Sequence, residues 1–314
     1  MLKPRALTPG SRIAVVAPAS TFKREEFDAG VAEITRLGFE PVYDNSVFEK
    51  GTPPYVAGTP EVRAKAIRAA LAEPSIHGII GVRGGYGSAQ LLPLLDVAEI
   101  RQACKVFIGY SDLTAILSFL TTQCHIAAFH GPMIDDCLSR GEARYDRESF
   151  LHAIARAQPV GEISPPGLDI LHSGEARGVL LGGTVTQLLA TLGTKWAFDP
   201  PFGYVLFFEE VGERPYRLDR MVTQLRQTGL LGRAAAIVIG ELNGCDEPGG
   251  QLTGRSVMAD VLKDFRGPVI AGFPSGHVRG KVYTLPLGVE CRVIASGRPR
   301  LVIEEAAVKE SDAK

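Results

Sequence analysis

Cys104-Lys105-Val106-Phe107-Ile108-Gly109-Tyr110-Ser111-Asp112-Leu113-Thr114-Ala115-Ile116-Leu117 reads as a strand, a turn and the start of a helix in one run. Val106, Phe107 and Ile108 form a β-prone apolar stretch, and Gly109 punctuates its end. From Asp112 onward Leu113, Ile116, Leu117 and Leu120 recur at helical spacing. Ser111 therefore sits at the hinge of a strand–turn–helix unit. Such a hinge lifts a side-chain oxygen above the sheet edge and leaves the first backbone N–H groups of the helix unpaired. It can supply a nucleophilic serine and part of an oxyanion hole, and it can equally serve as a plain helix cap.

The same alternation extends in both directions. Toward the N-terminus the pattern predicts strands over 13–17, 41–43 and 78–82, helices over 26–37 and 60–72, and a further helix carrying Leu91, Leu92, Leu94 and Leu95. Beyond the Ser111 unit an apolar strand over 126–129 leads into His130-Gly131-Pro132. Strands that alternate with helices imply a mainly parallel, doubly wound sheet, in which ligands sit beyond the carboxyl ends of the strands. Gly84–Gly87 and Gly109–Asp112 both fall at such ends, so the two turns can converge.

Residues 159–174 change character, with Pro165-Pro166-Gly167 and weak periodicity, and read as a linker. They divide the chain into a first domain, 1–158, and a second, 175–305, followed by a polar tail, 306–314, expected to fray. In the second domain strands are expected over 178–183, 204–208, 236–239 and 269–273, with helices after Gly183 and over 218–227 and 257–265. Alternating residues Val289, Cys291, Val293 and Ala295 add antiparallel strands. The expectation is an α/β protein with a smaller, β-rich, mixed or barrel-like second domain.

Composition narrows the classes of function. The 314 residues are 45% hydrophobic and 22% charged, with 34 basic and 35 acidic side chains and a net charge of -1. No block of one sign provides a dominant phosphate-binding surface, so no nucleic-acid partner is expected. The 5 cysteines are odd in number and contain no CxxC pair, which favours a reduced, cytoplasmic setting. Lys3 and Arg5 before the apolar run at 13–20 imitate a leader, but the run is short and carries Pro18, and it reads better as a buried first strand. No stretch approaches the length of a membrane span. The histidines lack metal-ligand spacing, and no metal or organic cofactor is expected.

Glu209 and Glu210 end the apolar run Val205-Leu206-Phe207-Phe208, with side chains on opposite faces and one expected to point inward. His277 follows the strand ending at Phe273, in the loop Pro274-Ser275-Gly276-His277. A serine hydroxyl needs an imidazole base to become nucleophilic, and the imidazole needs a carboxylate to fix its tautomer and stabilise its cation. Ser111, a glutamate at 209 or 210 and His277, each at the end of an expected strand, can form that set in a cleft between the domains.

These residues resemble the LD-carboxypeptidase family of serine peptidases. The resemblance rests on Arg83-Gly84-Gly85-Tyr86-Gly87, Gly109-Tyr110-Ser111-Asp112, Phe129-His130-Gly131-Pro132, Leu181-Gly182-Gly183, Phe208-Glu209-Glu210-Val211-Gly212-Glu213 and Gly276-His277, with Tyr55-Val56-Ala57-Gly58-Thr59 and Pro215-Tyr216-Arg217-Leu218-Asp219-Arg220-Met221. It spans nearly the whole chain, in the family's order. It implies a Rossmann-like first domain, Ser111 as nucleophile, Glu209 as orienting carboxylate, His277 as general base, and the backbone N–H groups of Gly85 and Asp112 as oxyanion hole. It further implies a small peptide substrate, the murein tetrapeptide that loses its terminal D-alanine in cytoplasmic cell-wall recycling, and a homodimer.

Substrate contacts are expected from Arg83, Tyr86, Thr184 and Trp196. The family usually has asparagine where this chain has Thr184. Trp196, the only tryptophan, either packs within its loop or stacks a nucleobase, as in the family's antibiotic-immunity branch that cleaves acyl-sulfamoyl adenylates. Two rival readings follow: an amidase of that branch, and a peptide-binding module without turnover.

Overall fold

The computed structural model describes residues 1–311. The first half interleaves β1 (Arg12–Val16), α1 (Arg24–Arg36), β2 (Glu40–Val42), α2 (Pro60–Ala72), β3 (Ile76–Gly81), α3 (Val97–Ala103), β4 (Val106–Gly109), α4 (Thr114–Thr122), β5 (Ala128–His130) and α5 (Arg147–Ala155). Local chemistry sets several helix starts. The hydroxyl of Thr59 accepts from Val62 N ahead of Pro60, and the carboxylates of Asp96 and Asp146 accept from Glu99 N and Ser149 N at the heads of α3 and α5.

The second half contains β6 (Gly161–Ile163), β7 (Asp169–His172), β8 (Gly174–Thr184), α6 (Val185–Ala190), β9 (Tyr204–Val211), α7 (Pro215–Gln227), α8 (Leu230–Arg233), β10 (Ala234–Asn243), α9 (Gly254–Val261), β11 (Val269–Phe273), β12 (Leu285–Leu287), β13 (Glu290–Ala295) and β14 (Arg300–Ile303). Among the described residues there are two sheets. One has six strands in the order β12-β5-β4-β3-β1-β2, parallel except for β12, and the other has eight in the order β6-β14-β13-β8-β9-β10-β11-β7. The four central strands of the second, β8 to β11, are parallel, and the flanks are antiparallel. The expected barrel-like unit thus takes the form of an open mixed sheet with β6 and β7 at its edges.

Both faces of the second sheet are buried. Val205 and Phe207 of β9 point into a core continuous with the first sheet, while Tyr204, Leu206 and Phe208 point into a second core formed with α6, α7 and α9. Neighbouring β10 splits in the same way, Ala236 and Val238 to one side and Ile237 and Ile239 to the other. Complete burial of one such phenylalanine is worth about 1.5–3 kcal/mol. The shared core fixes the second sheet against the first.

Three expectations change. Residues 159–174 do not form a bare linker: they supply β6 and β7, the two edges of the second sheet. The helix expected near Leu91 is a 3-10 segment, Ser88–Leu94, which contains Pro93. The start of the 306–314 tail is held, not frayed: Ala307 and Val308 are buried, and Lys309 N donates to Pro4 O at 2.9 Å. Residues 312–314 of that tail lie outside the described residues.

Candidate active site

Strand β4 and helix α4 hold Ser111 between them. Its φ is +61°, in the left-handed region that a non-glycine residue occupies at a cost of about 1–3 kcal/mol. Ser111 opens a single 3-10 turn, Ser111–Leu113, between the strand and α4. The glycine loop comes directly over it. A Cβ built on Gly84 would stand 2.8 Å from Ser111 Oγ and 3.3 Å from Asp112 N, so only glycine allows this approach.

Buried polar groups fasten the two turns. Asp112 Oδ2 accepts from Ser88 N at 2.8 Å, and Ser88 Oγ donates to Asp112 O. Burial raises the Asp112 carboxyl, against the hydrogen bonds from Ser88. Its side chain is thus a tie, and its backbone N–H remains at the turn. Ser20 Oγ accepts from Tyr86 N at 3.1 Å, and Ser20 N donates to Gly84 O at 3.2 Å. The buried guanidinium of Arg63 donates to Pro18 O at 2.7 Å, Gly87 O at 2.9 Å and Gly58 O at 3.2 Å. Sequence reasoning missed Ser20, Arg63 and Ser88. Arg63 did leave a trace: it lies on the buried stripe of α2 with Ile67 and Ala70.

From the second half, strand alternation sends Glu209 to the Phe207 face, toward Ser111, and Glu210 to the opposite face. Both are buried, contrary to the expectation of a single inward carboxylate. Glu210 Oε2 accepts from Thr186 N at 3.0 Å and Thr186 Oγ1 at 2.6 Å, at the head of α6. Glu209 Oε2 accepts from His277 N at 3.1 Å and lies 2.8 Å from His277 Nδ1. Gly276, at φ +92°, lets the loop pass: a Cβ there would lie 2.6 Å from Glu209 Cδ. His277 Nε2 is 3.0 Å from Ser111 Oγ.

Ser111, His277 and Glu209 therefore form one hydrogen-bonded line drawn from both halves. Burial alone would raise Glu209, but the hydrogen bond and charge of His277 hold it below the usual carboxylate value. Burial pulls His277 down, and the hydrogen bond and charge of Glu209 more than offset it, leaving the imidazole above its ordinary value. Such a line can deprotonate an alcohol and stabilise the resulting imidazolium.

The expected substrate contacts separate. Tyr86 is half-exposed beside Gly85, its ring edge-on to Tyr55 at 5.8 Å. Arg83 is half-exposed, with Nε 3.6 Å from Asp135, whose carboxyl burial pushes up to about 7. Thr184 is buried and donates from Oγ1 to Glu209 Oε1, so it braces the carboxylate. Trp196 is not brought to Ser111. Its neighbour Lys195 accepts through O from Gln123 Nε2 just past the C-terminus of α4, whereas Ser111 precedes the N-terminus. The nine residues of α4 put about 13 Å between its ends.

The family profile of the LD-carboxypeptidase N-terminal domain matches residues 13–131, and that of the C-terminal domain matches residues 177–293. A putative carboxypeptidase of Streptomyces coelicolor is 35% identical over 94% of each chain. The murein tetrapeptide carboxypeptidase of Pseudomonas aeruginosa is 29% identical over 85% of this chain and 88% of that one. The fold is shared with the microcin C7 self-immunity protein MccF, solved in complex with aspartyl sulfamoyl adenosine, at a TM-score of 0.90 and 24% identity over 98% of this chain and 100% of that one. With both halves matched in order and the similarity running end to end, the chain belongs to the LD-carboxypeptidase family of peptidases.

Proposed function

We propose that the protein is a serine LD-carboxypeptidase that releases the terminal D-alanine of a murein tetrapeptide in cytoplasmic peptidoglycan recycling. The observation that carries this reading is the line from Ser111 Oγ through His277 to Glu209, closed at 3.0 and 2.8 Å. His277 Nε2 takes the Ser111 proton as Oγ attacks the carbonyl carbon before the terminal D-residue. The N–H groups of Gly85 and Asp112 receive the tetrahedral oxyanion, and the Glu209 carboxylate stabilises the imidazolium. As the C–N bond breaks, His277 returns the proton to the leaving amine. Water, deprotonated by the same imidazole, then hydrolyses the acyl-enzyme. Arg83 is the cation on hand for the substrate's terminal carboxylate.

The relative from Pseudomonas aeruginosa, named for murein tetrapeptide, supports this substrate class. The acyl-adenylate reading draws support from the MccF fold, and the name of the Pseudomonas aeruginosa relative favours the murein peptide over it. The deciding experiment measures D-alanine release from murein tetrapeptide, with a chelator present, by the wild type and by Ser111→Ala. Release by the wild type and its loss in the variant are expected. Cleavage of an aminoacyl-sulfamoyl adenylate without D-alanine release would select the other branch. Equal release by both proteins would overturn the mechanism.

A further inference from the structure

His130 is wholly buried between the halves, and the mechanism above leaves it without a task. Its backbone lies in β5, in register with Gly109 of β4, two residues before Ser111. Gly131 N, next along, donates to Gly109 O at 3.2 Å. Its side chain crosses to the other half, where Nδ1 lies 2.9 Å from Ser275 Oγ, two residues before His277. The Tyr110 ring fills the corner, 5.9 Å from the His130 ring and 5.1 Å from that of His277. Phe207 closes the other side at 5.0 Å.

Burial holds the His130 imidazole neutral, its value lowered to about 4. Its Nε2 has no hydrogen-bond partner among the described residues, a buried polar atom that an apolar residue of similar shape would not carry. The fold therefore retains a costly group at the junction between the strand that delivers the nucleophile and the loop that delivers the base. Neutrality also suits the place. His277 must become a cation during the reaction, and a second charged imidazole beside it would oppose that step.

We propose that His130 is a positioning residue: by bonding Ser275 it sets the distance and angle at which His277 meets Ser111. The inference rests on the Ser–His–Glu reading above. A displacement of about 1 Å between base and nucleophile costs on the order of 100-fold in rate.

The test is a double-mutant cycle with His130→Leu and Ser275→Ala, rescued by His130→Asn, which keeps a polar atom near Nδ1. Two rates are read: D-alanine release from murein tetrapeptide, and labelling by a fluorophosphonate. In labelling, Ser111 Oγ forms a bond to phosphorus, fluoride leaves, and His277 takes the proton. Each single variant is expected to lose about 10- to 100-fold in kcat and in labelling rate, with KM within about twofold of wild type. The double variant should be no slower than the slower single one, and His130→Asn should recover most of the loss.

Additive losses, a rise in KM with kcat unchanged, or no rescue by asparagine would overturn the proposal. So would wild-type rates in all variants. A wild type that is labelled but does not release D-alanine removes the substrate and leaves the labelling cycle as the test. A wild type that does neither removes the serine mechanism and this role with it.

Discussion

Replacing Glu209 with glutamine separates the charge of this carboxylate from its hydrogen bonds. Oε2 faces two groups on His277, the backbone N–H at 3.1 Å and Nδ1 at 2.8 Å, and Oε1 faces the hydroxyl of Thr184. An amide NH2 placed toward His277 would meet the backbone donor head-on. Turned the other way it meets Thr184, whose hydroxyl rotates to accept. Glu209→Gln therefore keeps its oxygen on His277 and preserves the productive tautomer, losing only the charge. A unit charge about 4 Å from the imidazolium is worth about 4 kcal/mol at an effective dielectric of 20. At 1.36 kcal/mol per decade, kcat should fall about 1,000-fold.

The pH profile carries the sign. In the wild type Glu209 holds His277 above the ordinary imidazole value, so kcat/KM falls as pH drops through that raised value. In the variant the Glu209 charge is gone while burial, the largest influence on His277, still lowers the value against the lesser pulls of Glu210 and Asp136, so the acid limb moves to lower pH. Steady-state D-alanine release across pH, with thermal melting to confirm folding, measures both effects. A loss below about tenfold, or an acid limb that stays in place or moves up, would refute the reasoning that the charge drives the step.

Thr184→Val leaves Oε1 of a fully buried carboxylate without its donor, which should cost about 1.5–3 kcal/mol of stability at pH 7 in urea unfolding. The unprotonated Glu209–His277 pair, with its uncompensated charge, loses most, so the acid limb of kcat/KM should move to higher pH, opposite to Glu209→Gln. Gly84→Ala places a methyl group 2.8 Å from Ser111 Oγ. The same methyl stands 2.7 Å from Ser111 Cβ, so it should lower fluorophosphonate labelling by at least about tenfold and cost about 1–3 kcal/mol in urea unfolding.

The motifs around Gly84, Ser111, Glu209 and His277 were legible because each lies at the carboxyl end of a strand with strong local periodicity. Elements without local signal were not. β6 and β7 are short, lie in a proline-rich stretch, and owe their order to β14 and β11, far along the chain. Trp196 was open because its distance from Ser111 depends on which end of α4 its loop packs against. Period-two alternation put Glu209 and Glu210 on opposite faces, but it could not foresee that both faces would be buried. That follows from a sheet held between two cores.

By itself, then, the sequence determined the alternation of strands and helices, the placing of a serine on a tight strand-to-helix turn, and the supply of carboxylate and imidazole from the other half. These depend on local spacing and turn chemistry. Only the tertiary structure decided that His277 lies 3.0 Å from Ser111, that Thr184 braces Glu209, and that His130 bridges the two halves through Ser275. Such contacts join residues 25 to 166 positions apart, and the packing of one sheet on the other brings them within reach.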